Sequence, residues 1–153
     1  MDEIYIRKAK IKDVANIQQL INLYAQEGRI LPRSLSELYE GVRDFFIAEI
    51  NGKIIGCCAL HVIWENLAEV KSLAVINGMT RQGVGTKLLK AVINSAKELE
   101  IDKIFALTYI PDFFKKFGFK LVDKSTLPHK IWGECIKCVY FPNCEEEAMI
   151  YEL

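Results

Sequence analysis

At 153 residues the chain is sized for one domain, since two would each be small for an independent core. It is 51% hydrophobic and 26% charged, a globular balance that excludes a disordered segment. Its 20 Lys and Arg offset 20 Asp and Glu, so no net field draws nucleic acid or an anionic membrane, and no apolar run approaches the roughly 20 residues of a membrane span. Met1-Asp2-Glu3-Ile4 lacks the basic flank and apolar stretch of a signal peptide. Five cysteines, two of them adjacent (Cys57, Cys58), suit a reducing cytoplasm better than a disulfide framework.

Ile4 to Ala9 alternates apolar and polar residues and predicts a first strand. Asp13 is placed to cap a helix with an apolar stripe of Val14, Ile17, Leu20, Ile21 and Tyr24, ended by Gly28. Pro32 breaks the chain, and Ser34-Leu35-Ser36-Glu37 is a capping box opening a second helix, with Leu35, Leu38, Tyr39 and Val42 expected inward. Asp44 to Ile50 and Lys53 to Val62 read as strands joined by a type I′ turn at Asn51-Gly52. Ala68 to Val75 is apolar enough to be a central strand, broken at Asn77-Gly78. A long helix follows, with Val84, Leu88, Leu89, Val92, Ile93 and Ala96 on one face. Lys103 to Thr108 is a strand, Pro111 starts a short helix ending near Phe117, Gly118-Phe119 begins a strand, residues 124 to 146 are irregular, and Ala148 to Glu152 closes the chain as a strand. This order predicts an α+β domain over residues 1–153, with a mixed sheet and one parallel crossover around the long helix.

The segment Thr80-Arg81-Gln82-Gly83-Val84-Gly85-Thr86 lies between a buried strand and that helix. Two glycines allow a tight turn and a close ligand approach. The first helical amides and the helix dipole then form an anion site suited to a pyrophosphate, with Arg81 as a further contact. A turn of purely structural use has the same pattern. The Walker spacing is absent, and the third glycine of a dinucleotide fingerprint is replaced by Leu88.

This turn resembles the coenzyme-binding loop of the Gcn5-related N-acetyltransferase (GNAT) family, although Thr80 stands where Gln or Arg is usual. Phe113-Phe114-Lys115-Lys116-Phe117-Gly118-Phe119 is similar to another segment of the family. The resemblance implies a GNAT-like mixed, mostly antiparallel sheet with flanking helices and a V-shaped opening between two central parallel strands. It also implies acetyl-CoA as cosubstrate, bound by Arg81, Gln82, Gly83, Val84, Gly85 and Thr86, with the backbone of Leu73, Ala74 and Val75 pairing with its pantetheine arm. The runs Gly28 to Ser34, Ile54 to Leu60 and Ala68 to Val75 further resemble the acetyltransferase domain of N-acetylglutamate synthases, in particular the short, stand-alone form used in bacterial arginine biosynthesis. The kinase-like domain of the long form has no room in 153 residues.

By that resemblance Glu69 matches the base that deprotonates the acceptor amine, and its apolar neighbours Leu67, Ala68 and Val70 would favour that role if it is buried. Arg33 matches an arginine that holds a substrate carboxylate, which a guanidinium does bidentately. Ser72 is expected at the substrate, and the Ser72 and Leu73 amides at the thioester oxygen. The Tyr that relatives place four residues before the Gly-Phe pair is Phe114 here, leaving Tyr109 as the nearest proton donor unless the thiolate departs unaided. The structural readings stay open: a salt-bridged Glu, a solvated Arg and a packed Tyr.

His129, Cys135, Cys138 and Cys144 include one Cys-x-x-Cys pair. Zinc, a labile disulfide and plain packing all fit it; no metal site is assigned, because structural zinc usually takes two close pairs. The segment is also placed to cover the substrate opening. His61 reads as a buried, hydrogen-bonded strand residue, and Cys57 and Cys58 as core. The function that follows is acetyl transfer to the α-amine of an amino acid, glutamate first, by direct attack in a ternary complex. Another small amine, a protein amine, or a non-catalytic acetyl-CoA-binding module are the alternatives. A small-molecule partner is expected, with no nucleic acid and no membrane, and the family leaves room for a homodimer.

Overall fold

The computed structural model describes residues 3–26, 33–76, 83–127 and 146–153. Among the described residues seven strands form one sheet in the order β1-β2-β3-β4-β5-β7-β6. They are β1 (Tyr5–Lys8), β2 (Phe45–Ile50), β3 (Lys53–Trp64), β4 (Leu67–Val75), β5 (Lys103–Thr108), β6 (Lys120–Val122) and β7 (Glu147–Glu152). Among the described residues four α-helices accompany them: α1 (Val14–Gln26), α2 (Leu35–Glu40), α3 (Val84–Glu98) and α4 (Pro111–Lys115). All neighbouring strands are antiparallel except β4 and β5, which the α3 crossover joins in parallel. The mixed sheet with one parallel crossover is as the chain order predicts. The last strand, β7, inserts between β5 and β6, a long-range pairing that periodicity does not encode.

The two faces of the sheet carry separate cores. On one, the expected face of α3 (Val84, Leu88, Leu89, Val92, Ile93 and Ala96) is fully covered against Ile55, Ala68, Val70 and Ile104. Here α3 sits so close to β3 that a Cβ on Gly56 would lie 3.0 Å from Leu88 Cδ1 and Val84 Cγ1. On the other face, Val14, Ile17, Leu20 and Ile21 of α1 and Leu38 of α2 bury against Phe45, Ile47, Cys57 and Ala74.

Several local devices are as the sequence indicates. Asn51 (φ 51°) and Gly52 (φ 80°) both occupy the left-handed region that a type I′ turn requires. Ser34 Oγ accepts from Glu37 N–H (3.1 Å) and Glu37 Oε1 accepts from Ser34 N–H (3.5 Å), completing the capping box.

Two expectations are corrected. Of the α2 residues expected inward, only Leu38 is buried, while Leu35 and Tyr39 are 41% and 45% exposed. A helix of six residues makes fewer than two turns, so it offers the sheet little more than one position. Asp13 is not an N-cap either. It ends a 3-10 turn (Ile11–Asp13) and is buried, accepting from Lys10 N–H (2.7 Å) and pairing with Arg7 at 2.8 and 3.1 Å. Arg7 also reaches Glu49 at 3.3 Å, tying β1, β2 and the entrance of α1 together.

The Arg7 guanidinium holds the Asp13 carboxyl below its ordinary range. A depressed carboxyl stabilises the fold above the unfolded pKa, about 4, and that contribution fades as the pH falls through the depressed value. Asp13→Asn is therefore expected to cost about 2 kcal/mol at neutral pH. In denaturant titrations the gap between wild type and variant should narrow below about pH 4. A gap independent of pH would contradict the assignment.

Candidate active site

The sheet opens at its centre. β4 and β5 pair only from Leu67–Lys103 to Val70–Ala106. Beyond that point β4 stays with β3, through Cys57–Ala74 and Gly56–Val75, while β5 stays with β7, through Leu107–Ala148 and Thr108–Glu147. Each strand keeps its outer neighbour and the inner edges part, which is the V-shaped opening expected from the resemblance.

A bulge in β4 lies just past the parting. Between the pairs Ala59–Lys71 and Cys57–Ala74, β3 has one residue, Cys58, and β4 has two, Ser72 and Leu73. Ser72 absorbs the extra residue with φ 57°, a left-handed conformation costing a non-glycine residue roughly 1 kcal/mol or more. Two contacts hold it there: Cys57 Sγ donates to Ser72 C=O (3.3 Å), and Arg33 Nη1 donates to Ser72 Oγ (3.4 Å).

Arg33, from the segment before α2, thus reaches the bulge. Its side chain is largely buried, its guanidinium lies 5.6 Å from the Phe45 ring centroid, and its Nε is 3.7 Å from Glu37 Oε2. Gln18 Nε2 of α1 donates to its backbone carbonyl (3.3 Å). A cation beside a helix N-terminus is poorly placed on its own. The exposed Glu37 carboxylate in the first turn of α2 compensates for that.

Glu69 is buried, at 8% exposed. Its register places it on the same face as Arg33. Phe45, Ala59 and Lys71 form one cross-strand row, and His61, Glu69 and Phe105 share the next row. Two residues along a strand is a step of about 7 Å, so Glu69 lies one such step from the row under the Arg33 guanidinium. His61 Nδ1 is 2.8 Å from Asp44 Oδ2, so it is hydrogen-bonded as the sequence suggests, but its side chain is 39% exposed rather than buried.

On the opposite rim, Tyr109 follows the end of β5 and is 38% exposed. Thr108 Oγ1 beside it accepts from Ile110 N–H (2.9 Å) and turns the chain into α4. Phe114 is fully occupied as core, in edge contact with Phe113 and Phe119 at 5.4 and 5.1 Å.

The start of α3 is open at its first amides. Gly83 is the N-cap with φ 79°, and without a side chain it leaves the amides of Val84, Gly85 and Thr86 uncapped by its own residue. Phe113 Cζ would lie 3.4 Å from a Cβ on Gly85, so α4 closes on this first turn. Arg81 and Gln82 lie outside the described residues, as do Thr80, Gly28, His129, Cys135, Cys138 and Cys144. Among the described residues no group of three or more His, Cys, Asp or Glu is placed to hold a metal, and no helix is long and apolar enough to cross a membrane.

One contact at the opening was not legible in the sequence. Tyr24, in the last turn of α1, accepts from Val75 N–H (2.9 Å) and donates its hydroxyl to Val75 C=O. The helical stripe identifies Tyr24 as inward but not as polar in purpose. The available signal was a hydroxyl on an apolar face, since such groups usually find a partner.

With this geometry in place, the chain belongs to the acetyltransferase (GNAT) family, whose model matches residues 14–119. It is an acetyl-CoA-dependent N-acetyltransferase of that type. An uncharacterized N-acetyltransferase of Chlorobaculum tepidum is 36% identical over 148 residues, covering 97% of this chain and 96% of that one. An amino-acid acetyltransferase of Mycobacterium tuberculosis is 35% identical over 133 residues, 84% of this chain and 75% of the relative. Among solved structures, a Mycobacterium tuberculosis protein in complex with CoA superposes with a TM-score of 0.85 at 30% identity, over 97% of this chain and 99% of that one. N-acetylglutamate synthase of Neisseria gonorrhoeae, complexed with coenzyme A and N-acetyl-glutamate, gives 0.90 at 26% identity, over 99% of this chain and 35% of that longer one.

The thiols next to the bulge are inert by position. Cys57 and Cys58 are both fully buried, and burial pushes the Cys57 thiol up to about 12 and raises that of Cys58 as well. Alkylation of the native protein near pH 8 should leave both peptides unmodified by mass spectrometry, because almost no thiolate forms there. Denaturant should release them. Fast native labelling of either would contradict the burial of the bulge.

Proposed function

We propose that the enzyme transfers the acetyl group of acetyl-CoA to the α-amine of L-glutamate and so serves arginine biosynthesis. On this reading the 153 residues act as one N-acetyltransferase domain. The observation that carries it is Arg33 at the bulge, 3.4 Å from Ser72 Oγ, on the same face of the sheet as buried Glu69. A carboxylate on the acceptor would give the guanidinium a bidentate partner beyond the contacts it makes to Ser72 and Glu37. The names of the amino-acid acetyltransferase relatives and the N-acetyl-glutamate in the Neisseria complex support the same substrate.

In this reading the pyrophosphate rests on the Gly83–Thr86 turn with Arg81 and Gln82, and the pantetheine arm pairs with the inner edge of β4 at Leu73–Val75. The thioester then lies at the parting of β4 and β5. Glutamate is held through a carboxylate by Arg33, with Ser72 beside it. Its ammonium is mostly protonated at neutral pH, so Glu69 takes a proton, directly or through water, and frees the nitrogen lone pair. The amine attacks the thioester carbonyl, and the amides of Ser72 and Leu73, turned by the bulge, receive the developing oxyanion. Collapse breaks the C–S bond and releases the thiolate of CoA, and the nitrogen sheds its second proton to water as the amide forms. Tyr109 supplies the proton to sulfur. A thiolate of pKa about 8.5 also leaves without help, so loss of this hydroxyl is a small effect.

Three variants separate these roles. Glu69→Gln should lower kcat/KM for glutamate about 10²- to 10⁴-fold at neutral pH, with the deficit shrinking as rising pH frees the amine. Arg33→Ala should raise KM for glutamate about 10- to 100-fold while KM for acetyl-CoA stays put. Tyr109→Phe should cost less than about tenfold in kcat. Unchanged glutamate kinetics in Arg33→Ala would remove glutamate as the acceptor, and unchanged kinetics in Glu69→Gln would remove the base.

A further inference from the structure

The backbone of Val75 lies on the inner edge of β4, and its direction follows from the ladder. Ile76 N–H donates to Ile55 C=O (2.9 Å), which makes Ile55 and Ile76 a hydrogen-bonded pair. Gly56 and Val75, the next pair, are therefore of the non-bonded kind, whose N–H and C=O groups point away from the partner strand. For Val75 that is the side β5 would occupy, but β5 left the ladder at Ala106. Two backbone groups are thus left on an inner strand with no strand to meet them.

Tyr24 meets both. Its hydroxyl accepts from Val75 N–H at 2.9 Å and donates to Val75 C=O, and Val75 is 6% exposed beneath it. A single hydroxyl that accepts and donates at one residue reproduces the pairing that a neighbouring peptide, or an amide of the pantetheine arm, would make at the same place. Protein groups seldom remain unpaired when covered, because an unmet amide costs more than the net worth of its bond.

We propose that Tyr24 is a placeholder for the coenzyme: in the free enzyme its hydroxyl occupies the Val75 amide and carbonyl, and the pantetheine arm takes them over on binding. The inference rests on the reading that the pantetheine arm pairs with β4. Tyr24 is then a positioning residue. It keeps the edge of β4 extended and satisfied before acetyl-CoA arrives, at some expense in affinity, because each coenzyme bond at Val75 replaces one already made.

Calorimetric titration of acetyl-CoA into wild type and Tyr24→Phe tests this, together with amide NMR of Val75 and ring NMR of Tyr24 in the wild type. The variant keeps the ring in the core and deletes only the competing hydroxyl. Its affinity for acetyl-CoA should rise about fivefold, the worth of one net hydrogen bond. In the wild type, coenzyme should shift the Val75 amide and the Tyr24 ring signals together. Equal affinity would make the hydroxyl a purely structural contact and overturn the proposal; weaker affinity would make it a coenzyme ligand and overturn it equally. If Tyr24→Phe does not fold, wild-type Tyr24 signals unmoved by bound coenzyme would also overturn it. A Val75 amide that stays still while acetyl-CoA binds would instead remove the underlying reading that the arm lies on β4.

Discussion

A β-strand has two edges, and backbone amides and carbonyls along both need partners once covered. At the centre of this sheet that requirement is met for only four residues of the β4–β5 contact, from Leu67 to Val70. Past that point each strand holds to its outer neighbour, and the inner edges face a gap between them. Side chains take over the edge there, Cys57 at the Ser72 carbonyl and Tyr24 at Val75. The parting puts the bulge just past its apex, and it explains why a tyrosine hydroxyl from α1 has found its way to Val75.

The two cores make the gap rigid. Below the sheet, α3 is seated close enough on β3 that Gly56 has no space for a side chain, which fixes the N-terminus of α3 relative to β4. Above it, α1 and α2 cover the face carrying Phe45, Cys57 and Ala74. The first turn of α3 and the residues Arg33 and Glu69 therefore belong to opposite layers of the sheet.

Much of this was legible in the chain. Alternation and the Asn51-Gly52 turn identify the β2–β3 hairpin, an apolar run identifies β4 as central, and the run Gly83-Val84-Gly85 marks the start of α3. Each of these signals is local, and local signals report which face a residue occupies. They do not report partners. Asp13 looks like a helix cap in sequence because its ion-pair partner, Arg7, lies on another element. The left-handed Ser72 has no glycine to announce it, and its support comes from Cys57 and Arg33, 15 and 39 positions away. The insertion of β7 between β5 and β6, and the Tyr24 contact with Val75 across 51 positions, are of the same long-range kind.

The central claim, that this opening acetylates glutamate, is tested most directly by following acetyl-CoA-dependent release of free thiol from the purified enzyme with each of the twenty amino acids and several polyamines, the protein's own five cysteines being blanked. Turnover with glutamate well above every other amine is the expected result. Turnover that favours an amine without a carboxylate, or none at all with coenzyme bound, would contradict it.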